Sequence, residues 1–340
     1  MPVRLGFIGL GHIATRAHLP TLKTMAGGGR VKLQAFCDMN AKLLESQGKE
    51  YGVTRLFTDH RAMLEDEELD AVYLCIPPTQ HTDEEFQIAK RGIHIFVEKP
   101  QTLDIAQAAS FDQVISKSGI LSQVGFQSRY YTTSEKAAEL LTTRTPRHAQ
   151  VSSFYSGRPI RYWTSRMELC GGTFVENTIH MVDLLRFFLG DIDSVTAFYV
   201  DRKPGEGPEP MNLPHVYNVS YRFVSGLTAN VTISRVLTNV TTSRRDMYLI
   251  SDDSLIEWSP EKLVENDNTV LEVPPIPNAF AAQAEAFISS IEANDPKLLR
   301  SPYRDAMNSL AAVLAANRSA ELGGELVHLH GFMQNEALTP

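Results

Sequence analysis

Cysteine is scarce in this chain, and its spacing excludes two classes of site. Only three cysteines occur in 340 residues, Cys37, Cys75 and Cys170. They form neither a CxxC pair nor a cluster with histidine, so the sequence predicts neither a zinc site nor a disulfide framework. Scattered thiols of this kind are typical of a reducing compartment. We therefore expect a cytoplasmic protein without a metal site.

Long apolar runs and dense basic blocks are also missing. No stretch reaches the roughly 18 to 20 apolar residues that a membrane-spanning helix requires. The 40 acidic and 32 basic side chains leave a net charge of −8, which disfavours binding to polyphosphate backbones. We expect no membrane partner and no nucleic acid, and therefore a small molecule as the main ligand.

The chain is long enough for two domains. At roughly 100 to 200 residues per domain, 340 residues predict about two, each able to bury its own core. A charged fraction of 21% and a hydrophobic fraction of 43% are typical of a folded globular protein.

A glycine-rich segment follows the first apolar run. Residues 3–8 read as a buried strand, and GLGHIA follows directly at 9–14, before a helical stretch. This GxGxxA pattern is typical of a dinucleotide-binding turn, in which the helix N-terminus binds phosphate. The residues expected at the cofactor are Gly9, Gly11, His12, Ile13 and Ala14. Alone the pattern is weak evidence, because glycine-rich turns also simply connect strands to helices.

An aspartate at the end of the second apolar run strengthens this interpretation. Asp38 follows the run at 31–36, close to the offset at which an acidic residue binds the adenosine ribose hydroxyls. A carboxylate there also repels a 2′-phosphate, which favours NAD over NADP. The neighbouring Lys42 keeps NADP open, and a solvated loop aspartate is the alternative for Asp38.

Strand and helix patterns alternate through residues 1–125. Strands are predicted at 3–8, 31–36, 55–57, 69–76, 93–97 and 120–124, with helices between them. Such alternation predicts a doubly wound parallel sheet covered on both faces, an α/β Rossmann domain. Ligands bind at the carboxyl ends of such strands. Pro77 and His81 follow the fourth strand, and Glu98 and Lys99 follow the fifth, so all four are expected at the cofactor.

The pattern changes in residues 126–340. Apolar and polar residues alternate at 217–223 and 227–234 around the hairpin turn Ser225–Gly226, which predicts an antiparallel sheet with one covered face. The other face could be solvated, line a pocket or contact another subunit. Helices at about 279–292 and 303–321 are expected to pack across the domains.

A polar stripe interrupts the mostly apolar helix predicted at 174–189. Glu176, His180 and Asp183 fall on one side of it, with Phe187. The stripe could face a ligand, or His180 could be a hydrogen-bonded core histidine. Glu176 has its own alternative, because Thr173 and Glu176 form a capping-box pattern.

Four segments together resemble a known family. They are GLGHIA at 9–14, PPTQH at 77–81, VEKP at 97–100, and a glycine-rich turn at 171–172 that leads into HxxDxxRxxxG at 180–190. In this order they are similar to the Gfo/Idh/MocA oxidoreductases, the glucose-fructose oxidoreductase and inositol dehydrogenase family. The resemblance extends over essentially the whole chain. It implies a Rossmann domain followed by an α+β domain with a largely antiparallel open sheet.

The resemblance also implies catalytic roles. The family's lysine of EKP corresponds to Lys99, its catalytic histidine to His180, and its usual aspartate four residues earlier to Glu176. In this chain glutamate replaces that aspartate, and Thr178 stands where glycine is frequent. An imidazole suits proton exchange near neutrality. Lys99 is expected to stabilise negative charge on the reacting oxygen, while Glu176 or Asp183 orients the imidazole.

The implied reaction is hydride transfer between NAD(H) and a secondary alcohol or ketone of a sugar, cyclitol or related polyol. The substrate is expected to contact Lys99, Glu176 and His180. Arg129 and Trp163 are further candidates for the substrate pocket, although a position on the surface or in the core explains each of them equally well. Family members commonly pair their sheets, which implies a homodimer or homotetramer through the C-terminal sheet.

Two other functions remain open. One is an enzyme that retains NAD and uses transient oxidation for elimination or glycoside cleavage, as some relatives do. The other is a non-catalytic dinucleotide-binding regulator, since a fold does not specify an activity.

Overall fold

The N-terminal apolar run forms a central strand of a six-stranded parallel sheet. Its strands in chain order are β1 Val3–Ile8, β2 Val31–Cys37, β3 Arg55–Phe57, β4 Ala71–Leu74, β5 His94–Val97 and β6 Ser122–Val124. They lie in the order β3-β2-β1-β4-β5-β6, with all neighbours parallel. β4 is buried at every residue, as expected for a strand covered on both faces.

Helices connect these strands, which confirms the predicted Rossmann fold. They are α1 Leu19–Gly27, α2 Ala41–Tyr51, α3 His60–Asp66, α4 Glu84–Lys90 and α5 Ile105–Ser118. A π-helical turn, Ala14–His18, precedes α1. Pro20 provides a physical reason for this turn, because its ring lacks an N–H and clashes with the carbonyl group four residues earlier.

The second sheet has nine strands. In chain order they are β7 His148–Tyr155, β8 Ile192–Val200, β9 Val216–Phe223, β10 Thr228–Ser234, β11 Ser243–Ile250, β12 Leu255–Trp258, β13 Lys262–Glu265, β14 Asn268–Glu272 and β15 Val327–His328. The order is β14-β13-β12-β11-β7-β10-β9-β8-β15. Only β7 and β10 pair in parallel among these neighbours, so the prediction of a largely antiparallel sheet is confirmed.

The remaining helices are α6 Thr132–Leu141, α7 Met167–Cys170, α8 Ile179–Leu189, α9 Ala279–Ala293, α10 Tyr303–Glu321 and α11 Leu329–Ala337. A second π-helical turn, Phe174–Thr178, precedes α8. The computed structural model describes residues 1–155, 161–203, 205–206, 211–237, 242–274 and 279–337. No helix within these ranges is both long and apolar enough to span a bilayer.

The chain divides into two units, residues 1–127 with 278–306 and residues 128–277 with 307–340. The sequence pattern had placed the boundary near residue 125 and had the helices at about 279–292 and 303–321 pack across the domains. Residues 278–306 join the first unit because α9 adds apolar side chains to its core. The ring of Phe287 lies 5.8 Å from that of Tyr73 and 5.7 Å from that of Phe96.

The second sheet has one covered face and one open face. On β9, Tyr217, Val219, Tyr221 and Phe223 are buried, whereas the alternate residues from Asn218 to Arg222 are exposed. This period of two is the one expected for a sheet packed on one side only.

Candidate functional site

The turn after β1 has the geometry that a dinucleotide phosphate requires. Gly9 has a φ of +87°, and a Cβ there would lie 2.5 Å from the carbonyl oxygen of Cys75, so only glycine fits. Gly11 is exposed, and a Cβ there would meet no atom within 4 Å. The backbone at Gly11 is therefore open to a ligand.

The first helical residues after this turn are His12 and Ile13. N–H groups at a helix start lack partners within the helix, so they are available to bind phosphate. Ala14 is fully buried, which allows the helix to pack closely on the sheet. His12 is exposed and Ile13 is half-buried. The segment therefore fits the pyrophosphate of NAD.

A cleft of about 430 Å³ lies beside this turn. It brings together four of the predicted cofactor residues, Gly9, Gly11, Asp38 and Pro77. These residues follow the carboxyl ends of β1, β2 and β4, which are neighbours in the sheet. The position is the one at which ligands bind in open α/β sheets.

Asp38 is held in the cleft by backbone hydrogen bonds. Its Oδ2 accepts from the N–H of Leu10 at 2.7 Å, and its Oδ1 accepts from the N–H of Asn40 at 2.8 Å. Each carboxylate oxygen can accept more than one hydrogen bond. The carboxylate is therefore pre-positioned for ribose hydroxyls, and it is tied directly to the glycine-rich turn.

His81 is paired with a buried glutamate. Its side chain is fully buried, and Nδ1 lies 2.7 Å from Oε1 of Glu85, which is fully buried as well. The imidazole is therefore directed into the unit's interior and does not line the cleft. The structure places His81 in a buried hydrogen-bonded pair with Glu85, four residues later, and its contact with the cofactor stays a prediction.

Side chains from the β3–α3 and β4–α4 connections also line the cleft, although the sequence did not indicate them. His60 Nε2 lies 2.9 Å from Oδ1 of Asp83, and Arg61 binds both oxygens of Asp83. His60 and Arg61 line the cleft with Glu84. The only sequence feature that could have indicated these residues is that they follow β3 and β4, the strands that border the cleft.

Two of the three cysteines line the same cleft, Cys37 and Cys75. Burial raises the pKa of Cys37 to about 12 and raises that of Cys75 well above its ordinary value. Both therefore remain protonated thiols near neutral pH, which excludes them as nucleophiles there. They act as small apolar wall residues.

Glu98 is paired with a buried histidine. Its carboxylate is buried, with Oε1 2.7 Å from Nε2 of His18. The structure places Glu98 as an internal partner of His18, and its contact with the cofactor stays a prediction. Lys99, the next residue, is half-buried at the end of β5, and the peptide bond between Lys99 and Pro100 is cis.

The residues of the polar stripe predicted at 174–189 belong to two different helical elements in the structure. Glu176 lies in the π-helical turn and His180 near the start of α8, and both are half-buried. The capping box is not formed, since the Thr173 side chain makes no capping hydrogen bond and its N–H donates to the hydroxyl of Tyr217. The cap therefore does not explain Glu176.

Asp183 and Arg129 form a buried ion pair. The guanidinium donates to Oδ2 of Asp183 from Nε at 2.7 Å and to Oδ1 from Nη2 at 2.6 Å, while the Ser309 hydroxyl also donates to Oδ1 at 2.7 Å. Arg129 is only 4% exposed. These contacts tie Arg129 to α8, and its role in substrate binding stays a prediction. Asp183 accepts from both Arg129 and Ser309, and the orientation of His180 by Glu176 or Asp183 also stays a prediction.

Trp163 is half-buried in a short 3-10 turn, and the guanidinium carbon of Arg161 lies 5.4 Å from the centre of its ring. Part of its aromatic surface thus remains accessible in the second unit. Its role in substrate binding stays a prediction.

Comparisons with known proteins agree with this geometry. Residues 3–126 match the oxidoreductase family model with an NAD-binding Rossmann fold, and residues 145–248 match that family's C-terminal domain. A myo-inositol 2-dehydrogenase of Thermotoga maritima is 28% identical over 56% of this chain and 55% of its own length. This chain thus spans about half of that relative.

Two further matches extend over nearly the whole chain. An NADP-dependent D-xylose 1-dehydrogenase of Haloferax volcanii is 24% identical over 94% of this chain and 97% of its own. The structure of an Agrobacterium radiobacter oxidoreductase, solved with NAD⁺, L-tartaric acid and magnesium, has a TM-score of 0.83 at 17% identity, covering 97% of this chain and 99% of that one. The two family models together with the glycine-rich turn and EKP segment place this chain in the Gfo/Idh/MocA oxidoreductase family.

Proposed function

We propose that this protein is an NAD-dependent dehydrogenase of a secondary alcohol on a sugar, cyclitol or related polyol. The observation that carries the proposal is the cleft beside Gly9 and Gly11, with the Asp38 carboxylate bound to the turn. Lys99 follows β5, the neighbour of the cleft-lining strand β4. The relatives named for inositol and xylose oxidation support the substrate class.

The protein's residues divide the chemistry between proton transfer and charge stabilisation. NAD, when bound, supplies the hydride acceptor for oxidation or, once reduced, the hydride donor for reduction. His180 removes the hydroxyl proton during oxidation and returns it during reduction. Lys99 orients the hydroxyl and stabilises the negative charge that develops on its oxygen. Glu176 orients the imidazole.

A cofactor and substrate screen tests the proposal. The protein is incubated with NAD or NADP and with monosaccharides, cyclitols, sugar acids or amino sugars, and absorbance at 340 nm is followed. We expect a rise with NAD and at least one polyol. Release of a leaving group without net NADH would indicate transient oxidation instead, and cofactor binding without any substrate-dependent change would indicate a regulator.

Asp38 is expected to determine the preference for NAD. In Asp38→Asn the amide oxygen can still accept from Leu10, but the charge that repels a 2′-phosphate is gone. We expect the ratio of kcat/KM for NAD to that for NADP to fall about 10- to 100-fold, which corresponds to roughly 1.4–2.8 kcal/mol. Steady-state kinetics with both cofactors measure the ratio.

Asp104→Asn is the matched control. Asp104 also accepts backbone N–H groups, from Ala106 and Gln107, but it caps α5 and does not line the cleft. An unchanged ratio in Asp38→Asn, or a wild-type preference for NADP, would contradict the role of Asp38.

We further propose that the open face of the second sheet pairs with a second copy. It carries small polar side chains such as Ser220, whose hydroxyl donates to Oδ1 of Asn230 at 2.9 Å, together with the partly exposed ring of Phe154. An open sheet face of this composition suits a self-complementary contact. Whether the assembly is a dimer or a tetramer, and whether the protein is cytoplasmic, stay predictions.

Ser220→Arg is expected to disrupt this assembly. A two-fold contact would bring two added guanidinium groups into one sheet interface, where their charge and volume oppose association. Light scattering coupled to size exclusion should show the wild type as an oligomer and the variant at a lower mass. Gln113→Arg, on the exposed side of α5, should leave the mass unchanged. A monomeric wild type would refute the proposal.

A further inference from the structure

His18 and Glu98 form a buried pair that the sequence patterns did not indicate. Nε2 of His18 lies 2.7 Å from Oε1 of Glu98, and the side chains are 3% and 7% exposed. The two residues are 80 positions apart in the chain. His18 ends the π-helical turn that follows the glycine-rich segment, whereas Glu98 directly precedes Lys99.

The surroundings of His18 show that packing alone does not explain a histidine there. Its ring lies 5.4 Å from Tyr73, 5.0 Å from Phe96 and 5.7 Å from Phe280. An apolar ring would suit this aromatic cage of Tyr73, Phe96 and Phe280. A polar imidazole in it loses its hydration and needs a hydrogen-bond partner in return, and Glu98 is that partner.

Glu98 is held on its other sides as well. Its Oε2 accepts from the backbone N–H of Lys99 at 3.1 Å. A Cβ at Gly125 would lie 2.7 Å from Oε1 and 2.9 Å from Oε2. The carboxylate therefore packs directly against the backbone of Gly125, where any side chain would clash with it. One oxygen thus faces the helix after the dinucleotide turn, and the other fixes the peptide group from which Lys99 extends.

We propose that His18 and Glu98 are positioning residues for Lys99. The imidazole fixes the carboxylate, and the carboxylate fixes the Lys99 amide, so the helix that begins at the cofactor turn determines where the lysine side chain starts. This inference rests on the proposed function for the catalytic effect, but the contact itself can be measured without turnover.

The test compares three variants of the full chain. His18→Phe keeps an aromatic ring but removes the donor, His18→Gln restores an N–H in similar reach, and Glu98→Leu removes both acceptor oxygens at a similar volume. Tyr73→Phe is the control, because it alters the same cage without contacting Glu98. Each is assayed for kcat, for KM of NAD, and for the exchange rate of the Lys99 amide proton by NMR.

We expect His18→Phe and Glu98→Leu to accelerate exchange of the Lys99 amide about tenfold or more. Their kcat should fall about 10- to 100-fold, since small displacements of a reacting group have effects of this size, while KM for NAD changes less than about threefold. His18→Gln should recover most of the loss, and Tyr73→Phe should match the wild type.

Unchanged exchange at Lys99 in both His18→Phe and Glu98→Leu would overturn the proposal, as would faster exchange with unchanged kcat. If His18→Phe does not fold, Glu98→Leu decides the matter alone. If the wild type oxidises no polyol, the proposed function fails, and the amide exchange still shows whether the pair holds Lys99 in place.

Discussion

Replacing Lys99 by methionine is expected to lower kcat about 10²- to 10³-fold, the range found when one preorganised charge-stabilising group is removed. Methionine keeps the length and the apolar stem of the side chain but has no ammonium group. KM for NAD should change less than kcat, because Lys99 is not among the residues that line the cleft beside the glycine-rich turn. Steady-state kinetics on any accepted polyol measure the effect.

His180→Ala should reduce kcat by a similar factor, about 10²- to 10⁴-fold, because it removes the group assigned to proton transfer. Loss of general-base function should also flatten the dependence of kcat on pH. Lys90→Met, at an exposed position, and His328→Ala, whose side chain is 61% exposed, are the matched controls. Near-normal rates in both active-site variants would disprove the catalytic assignment.

Asp183→Ala is expected to cost about 3–5 kcal/mol of unfolding free energy, because it leaves the buried guanidinium of Arg129 without its counter-ion. The Ser309 hydroxyl would lose its acceptor as well. Urea denaturation followed by circular dichroism should show a clearly lower midpoint. We expect activity to fall in parallel, since α8 also carries His180.

A double-mutant cycle separates the ion pair from simple cavity formation. Removing both charges, in Arg129→Met with Asp183→Leu, should destabilise less than the sum of the single changes, because no buried charge is left uncompensated. The exposed pair of Lys136 and Glu139, at 2.8 Å, provides the control, and Glu139→Ala should cost less than about 1 kcal/mol. Additive effects at Arg129 and Asp183 would refute a coupled pair.

Local sequence signals singled out Gly9 and Asp38, which the structure brings together in one cleft, because the requirements at these two positions are local. Gly9 is dictated by a positive φ and by contact with the β4 end, and Asp38 by its place at the end of β2. The strand β1, at Val3–Ile8, and the helix α10, at Tyr303–Glu321, also have the predicted bounds. Each of these features depends on backbone geometry or on the spacing of apolar residues along a strand or helix.

Side-chain direction was the information that motifs could not supply. His81 and Glu98 stand at the predicted strand ends, yet both are directed into the interior toward buried partners, Glu85 and His18. For Arg129 the sequence left pocket, surface and core positions open, because its partner Asp183 lies 54 positions away in the chain. Such choices depend on contacts between distant segments, which have no periodic signature in the chain.

The sequence by itself determined the alternation of strands and helices in the Rossmann domain, the open antiparallel sheet and the dinucleotide turn. These features depend on the spacing of apolar residues and glycines within short segments of the chain. Tertiary structure alone decided that residues 278–306 complete the first core and that His18 holds Glu98 beside Lys99. The physical reason is that a buried polar group must find its partner in space, and that partner can lie anywhere along the chain.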